Sequence, residues 1–243
     1  MAKIFTLAFI NTKKVHSNFK EFNCTFNLQV YALAHYEFDY FLRMDDDHFF
    51  CLENFLHEVP LPMIKQFHWG WVHCIPTITR AEENMIMFSR DVVHSFVAQD
   101  PDKLLCHPWA DQMIASWSKT IDMSYLFRHD DRIHHTPIVS LVPELRQIPD
   151  VCKHYISIHG TYPDDMRLFF THRGPREPRE KPGKDLFMNS QVCPIKVPFD
   201  WRAFSPEWRF EPKFCVNRPQ WNTSRQLVIK GTYAGREEEF KAP

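Results

Sequence analysis

Short apolar runs alternate along this chain with runs whose apolar residues recur at helical spacing, so strands interleaved with helices are expected. The segment Phe26–Tyr36 (FNLQVYALAHY) can be drawn as a helix that feeds Phe38–Met44 (FDYFLRM). The second run is aromatic-rich and short, which predicts a strand buried in a sheet rather than an amphipathic helix. Phe49–His57 carries apolar residues at helical spacing and meets Pro60 and Pro62, which end the helix. Trp69–Cys74 reads as a strand, followed by Ile75–Thr79, and Met85–Phe88 reads as a second, short strand. Ser89 stands where an N-cap is expected, with Asp91 in the first turn of a helix over Val92–Ala98. His107–Asp111 then leads into another helix start at Gln112–Trp117. This alternation favours an α/β domain.

Beyond about His172 the pattern breaks down. Residues 173–184 are charged, Pro-rich and without period, as expected for a linker or exposed loop. The tail that follows holds Trp201, Trp208 and Trp221, so it is expected to pack on something rather than float. The expected organisation is therefore a domain over 1–172, a linker over 173–184 and a C-terminal extension over 185–243. No internal repeat is visible. Near the N-terminus, Lys3 precedes the apolar run Ile4–Ile10, which fits a short signal-type segment or a first β-strand. It is far short of the ~20 apolar residues that span a bilayer, and no other stretch qualifies.

Composition narrows the chemistry. At 243 residues, 44% hydrophobic and 15% aromatic, the chain has enough apolar material for one large core or a core plus an appendage. Lys and Arg (29) balance Asp and Glu (30), so no basic footprint points to nucleic acid. With only 6 Gly, neither GxGxxG nor a P-loop is present, and a bound nucleotide would have to be held by metal and side chains. The 7 Cys are widely spread with no CxxC pair, which argues against a zinc ribbon or a thioredoxin-type site, and their odd number implies a thiol or an intermolecular bond left over. With the sequons at Asn23 and Asn222, they fit a secretory compartment.

The strand Phe38–Met44 ends in Asp45-Asp46-Asp47. In open α/β sheets ligands bind beyond the carboxyl ends of strands. Three carboxylates gathered there disfavour joint ionisation unless a cation offsets them. Hard oxygen donors suit Mg²⁺ or Mn²⁺, ions that commonly bridge to nucleotide phosphates. The competing reading is a solvated acidic turn.

Four segments, in this order, resemble glycosyltransferase family 31, the β-1,3-galactosyltransferase and β-1,3-N-acetylglucosaminyltransferase superfamily. FDYFLRMDDDHFF looks like the family's strand and DxD motif, and MIMFSRDVVHSF its strand–Ser–helix element. CHPWADQMIASW is similar to the segment that normally reads Glu-Asp-Val, with Asp111 at the Asp, and HGTYPDDM to the late His-containing stretch, at His159. The likeness covers roughly residues 26–170. It implies a GT-A-type fold, a Rossmann-like mixed sheet flanked by helices. It also implies inverting transfer of a hexose or N-acetylhexosamine from a UDP-sugar to a glycan acceptor hydroxyl on protein or lipid, in β-1,3 linkage, in the Golgi lumen or elsewhere in the secretory pathway. A Mn²⁺ or Mg²⁺ ion held by Asp47 and His159, with Asp45 nearby, would neutralise the departing diphosphate. Asp45 and Asp46 would serve the donor, Asp46 through sugar or ribose hydroxyls or a metal-bound water.

Asp111 is the expected general base, and a helix cap is its competing role. His154 and His48 compete with His159 as the ligand; the turn expected over Gly160–Pro163 favours His159. Trp69, Trp71 and Trp109 are candidate stacking platforms for sugar rings, or core residues.

The chain also departs from the family. The triple Asp falls at position 45, whereas complete members carry further donor-binding strands, a stem and a membrane anchor ahead of it, so an N-terminally incomplete catalytic region is expected. Ala110 occupies the position of the usual acidic neighbour, and the Pro-rich tail has no counterpart. A catalytically inactive glycan-binding or chaperone-like relative is the alternative. A metal-dependent hydrolase or nuclease ranks third, lacking a second carboxylate set.

Overall fold

A computed structural model describes residues 24–45, 47–75, 78–121, 124–134, 143–161, 163–173, 186–192, 211–217, 219 and 221. Asp46, the run Ile4–Ile10, both sequon asparagines, Trp201, Trp208 and residues 174–184 lie outside the described residues.

In chain order the elements begin with α1 (Cys24–His35), β1 (Tyr40–Met44), β2 (His48–Phe50), α2 (Leu52–Glu58), β3 (Phe67–Ile75) and β4 (Ile78–Ser89). Next come α3 (Arg90–Val97), β5 (Leu105–Cys106), α4 (Ala110–Thr120), β6 (Leu126–His129), β7 (Ile133–His134) and a 3₁₀ turn over Pro143–Gln147. The order closes with α5 (Val151–His154), β8 (Ser157–His159), α6 (Pro163–Thr171), β9 (Phe187–Met188), α7 (Asn189–Val192) and β10 (Lys213–Phe214). These elements form two compact units. The described residues of Met1–Arg43, Leu61–His129 and Asp185–Trp221 make the first, and those of Met44–Pro60 and Asp130–Lys184 the second.

The first unit is a five-stranded mixed sheet of order β1-β4-β3-β6-β9. β3 runs antiparallel to β4 and parallel to β6, and β9 is antiparallel to β6. Helices α1, α3 and α4 cover it: Leu28 and Ala32, Val92, Val93 and Phe96, and Met113, Ile114 and Trp117 pack with Phe41, Val72, Ile86, Phe88 and Phe127 of the strands. In β4 Met85–Ser89 are buried without interruption, as expected of an interior strand whose two faces are both covered. The architecture is mixed α/β, with sheet flanked by helices, and is compatible with a Rossmann-like fold. Described parts of the Trp-rich tail belong to this unit: β9 extends the sheet, β10 pairs with β5, Cys215 is bonded to Cys106, and Trp221 packs on the core.

The second unit has a three-stranded sheet, β2-β8-β7, in which β2 is antiparallel and β7 parallel to β8. Its core is Leu145, Val151, Ile158, Phe169 and the Cys51–Cys152 disulfide. Arg132 is held between Glu58 (2.5 and 2.7 Å) and Asp130 (2.8 Å).

Three local readings of the sequence need correction. His48–Phe50 is a strand, and the helix begins only at Leu52, because pairing with β8 and the Cys51 N–H donating to Ile156 O (2.8 Å) outweigh local helical spacing. β4 starts at Ile78, not Met85, since β3 is long enough to pair with the polar stretch as far as Ile75↔Ile78. Ser89 stands before α3 but makes no side-chain cap; its Oγ accepts the Phe67 N–H at 2.9 Å, while Asp91 accepts the Gln66 N–H at 2.9 Å.

Candidate functional site

In the second unit, His48 of β2 lies directly opposite His159 of β8. Opposed residues of an antiparallel pair share one face, so the two imidazoles stand side by side, with ring centroids 5.0 Å apart and planes inclined by 28°. The ladder continues one step further, where Thr161 donates from both its N–H and its Oγ1 to Asp47 O at 2.8 and 3.0 Å. This pins the Asp47 backbone and brings its Oδ2 to 3.4 Å from His159 Nε2. Gly160, at φ 68°, turns the chain immediately after His159, in a left-handed conformation that glycine adopts without strain. Cys51 and Cys152, bonded to each other, close the same pair of strands three residues after His48 and five before β8.

Asp45, Asp47, His48 and His159 each offer a donor atom, and these four atoms lie within 4.8 Å of one another. Burial works against ionisation of Asp47, yet its hydrogen bond to His159 and the charges of His159 and His48 outweigh it and hold the carboxyl below its usual range. Of the expected metal set, Asp45, Asp47 and His159 are thus brought together. His48 joins them, and His154 sits exposed at the end of α5, outside the group. Two carboxylates and two imidazoles within reach of one centre are a chemically sound donor set for a divalent cation.

Asp111 belongs to the first unit. It is not a cap: Trp109 holds the N-cap position and Asp111 lies in the first turn of α4, 4% exposed. Arg80 Nε approaches its Oδ2 at 3.0 Å. Burial pushes the Asp111 carboxyl up to about 6 against the attraction of Arg80, and Glu82 adds to the upward shift. Arg80 also donates to Glu82 Oε1 and to His73 Nε2, both at 2.9 Å. Ala110, at the position where an acidic neighbour was expected, donates its N–H to Glu83 Oε2 at 2.7 Å, so a carboxylate reaches this helix end from β4.

Sequence reasoning missed Arg80, Glu82 and Glu83. Their positioning depends on an irregularity in the β3–β4 ladder, where the register jumps from Gly70↔Ile86 to Val72↔Ala81 and sets residues 82–85 opposite Trp71 alone. The available signal was the alternation of Arg80 and Glu82 with the buried Thr79 and Ala81.

Trp69 is not a sugar platform. It is fully buried, with the Arg128 guanidinium 4.0 Å from its ring centroid. Trp71 and Trp109 are partly buried, Trp71 lying edge-on to His73 and His129. No helix among the described residues is long and apolar enough to cross a membrane. No protein-family model matches the chain, and no curated protein matches it.

Proposed function

We propose that the chain is a metal-dependent inverting glycosyltransferase of GT-A type. It moves a hexose or N-acetylhexosamine from a UDP-sugar to a glycan hydroxyl, in β-1,3 linkage, on protein or lipid. The observation that carries this reading is the convergence of Asp45, Asp47, His48 and His159 donors within 4.8 Å, directly after a buried strand. With Mn²⁺ (or Mg²⁺) bound there, the ion would neutralise charge developing on the leaving diphosphate. Asp45 and Asp47 would supply the anionic donors and His159 a neutral one.

Inversion requires a base that takes the proton of the attacking hydroxyl. Asp111 suits that task because burial raises its carboxyl to about 6, so that at neutral pH it is deprotonated yet a stronger base than an exposed carboxylate. Arg80 holds the carboxylate in place. A secretory, Golgi-type location is supported by the disulfides Cys51–Cys152 and Cys106–Cys215, together with the disulfide-bonded Cys74, since such bonds persist in oxidising compartments.

The test is turnover of UDP-galactose and UDP-N-acetylglucosamine with glycan acceptors, in Mn²⁺ and in EDTA. Transfer in Mn²⁺ that EDTA abolishes, and that Asp111→Asn eliminates while UDP binding is kept, is the expected result. Turnover insensitive to EDTA removes the metal, and an active Asp111→Asn variant moves the base elsewhere.

A further inference from the structure

We infer that His48 is a fourth donor at the Asp45/Asp47/His159 cluster and that it sets the metal preference toward Zn²⁺ and Mn²⁺ and against Mg²⁺. The inference rests on the metal reading above and deepens it. Cross-strand registry alone places His48 beside His159, and its donor atom falls in the same 4.8 Å group as the two carboxylates. Only 7% of its surface is exposed, so a change at this position acts on the cluster rather than on a solvated surface. Donors arranged tetrahedrally at about 2.1 Å from one ion lie about 3.4 Å apart, so a pair as wide as 4.8 Å has to close by roughly 1.4 Å. Rotation of the Asp and His side chains would have to supply that shift, with the paired strands kept in register.

Donor chemistry then decides which ion fits. Mg²⁺ prefers oxygen ligands, keeps several of its waters and dehydrates reluctantly, whereas imidazole suits the later transition ions and Zn²⁺. A set of two carboxylates alone would leave Mg²⁺ competitive. Adding one imidazole weakens its claim, and a second imidazole at His48 removes it. Along the usual order of divalent affinities, binding to the bare protein follows Zn²⁺ over Mn²⁺ over Mg²⁺.

The experiment is calorimetric titration of ZnCl₂, MnCl₂ and MgCl₂ into the full chain and into its Asp47→Ala and His48→Phe variants. The phenylalanine keeps a flat ring against His159 and removes the nitrogen donors. The wild-type chain is expected to prefer Zn²⁺ and Mn²⁺ to Mg²⁺. His48→Phe is expected to lose more Zn²⁺ affinity than the ~10–100-fold that removal of an outer-shell partner costs, with little change for Mg²⁺. Should that variant fail to fold by far-ultraviolet circular dichroism, His48→Gln makes the same comparison. Zn²⁺ affinity unchanged in a folded His48 variant, or a wild type that does not discriminate against Mg²⁺, overturns the inference while loss of binding in Asp47→Ala keeps the metal site. Wild-type protein that binds none of the three ions, or an Asp47→Ala variant that binds them as wild type does, sinks the metal reading itself.

Discussion

Asp111 and His68 are both buried ionisable groups in the first unit, and burial acts on them in opposite senses. The Asp111 carboxyl is raised to about 6, so the native protein holds a proton there at pH values where the unfolded chain has released it. Asp111 therefore adds stability as pH falls from about 6 toward 4. The same titration should leave an acidic limb near pH 6 in kcat/KM for transfer. A rate flat through that pH would take the base role from Asp111.

His68 is caged by Phe88, Tyr125 and Phe127, and neither ring nitrogen finds a hydrogen-bond partner among the described residues. Burial lowers its pKa to about 3. The unfolded chain takes up a proton at His68 below about 6.5 and the native state does not, so this group removes stability as pH falls from 6.5 toward 3. The variant His68→Phe should gain on wild type in urea unfolding by up to ~1.4 kcal/mol per pH unit across that window. A difference constant with pH would show that His68 is not held neutral. Sequence could name Asp111 as a carboxylate at a helix start. It could not see Arg80 or the depth of burial, because both depend on a strand partner some thirty residues away.

At the scale of elements, local pattern succeeded where one structure satisfied both propensity and packing. The helix over Cys24–His35, the strand Tyr40–Met44 and the strand Phe67–Ile75 all lie where apolar spacing puts them. It failed where a non-local ladder won, at His48–Phe50 and at the polar half of β4. Ser89 illustrates the difference. As a cap its removal would be mild, but its Oγ satisfies the buried Phe67 N–H across the sheet. Ser89→Ala leaves that donor buried without an acceptor and is expected to cost about 1–3 kcal/mol of stability, read by urea unfolding. A loss confined to helicity of α3, with global stability intact, would return Ser89 to a capping role. Most of the metal cluster was legible: sequence names Asp45, Asp47 and His159, whereas His48, there a competing ligand, joins them as a further donor only through the β2–β8 register.

On the scale of the whole molecule, each of the two units is built from separate stretches of the chain, an interleaving that no linear pattern in the sequence announces. Residues on both sides of 174–184 belong to folded units, and the tail returns to the first unit through β9, β10 and the Cys106–Cys215 bond. That bond closes a loop with a sequence separation of 109 residues. Its removal in a Cys106→Ser, Cys215→Ser double variant should lower unfolding free energy by about 2–4 kcal/mol. Wild-type stability in the double variant would mean that the tail is held by packing alone.

The transferase reading makes its most direct demand on UDP binding. Calorimetric titration of UDP into the purified chain, with Mn²⁺ and then with EDTA, is expected to show binding that depends on the ion and disappears in Asp47→Ala. A well-folded sample that binds no UDP in Mn²⁺, or binds it equally in EDTA, would contradict the account.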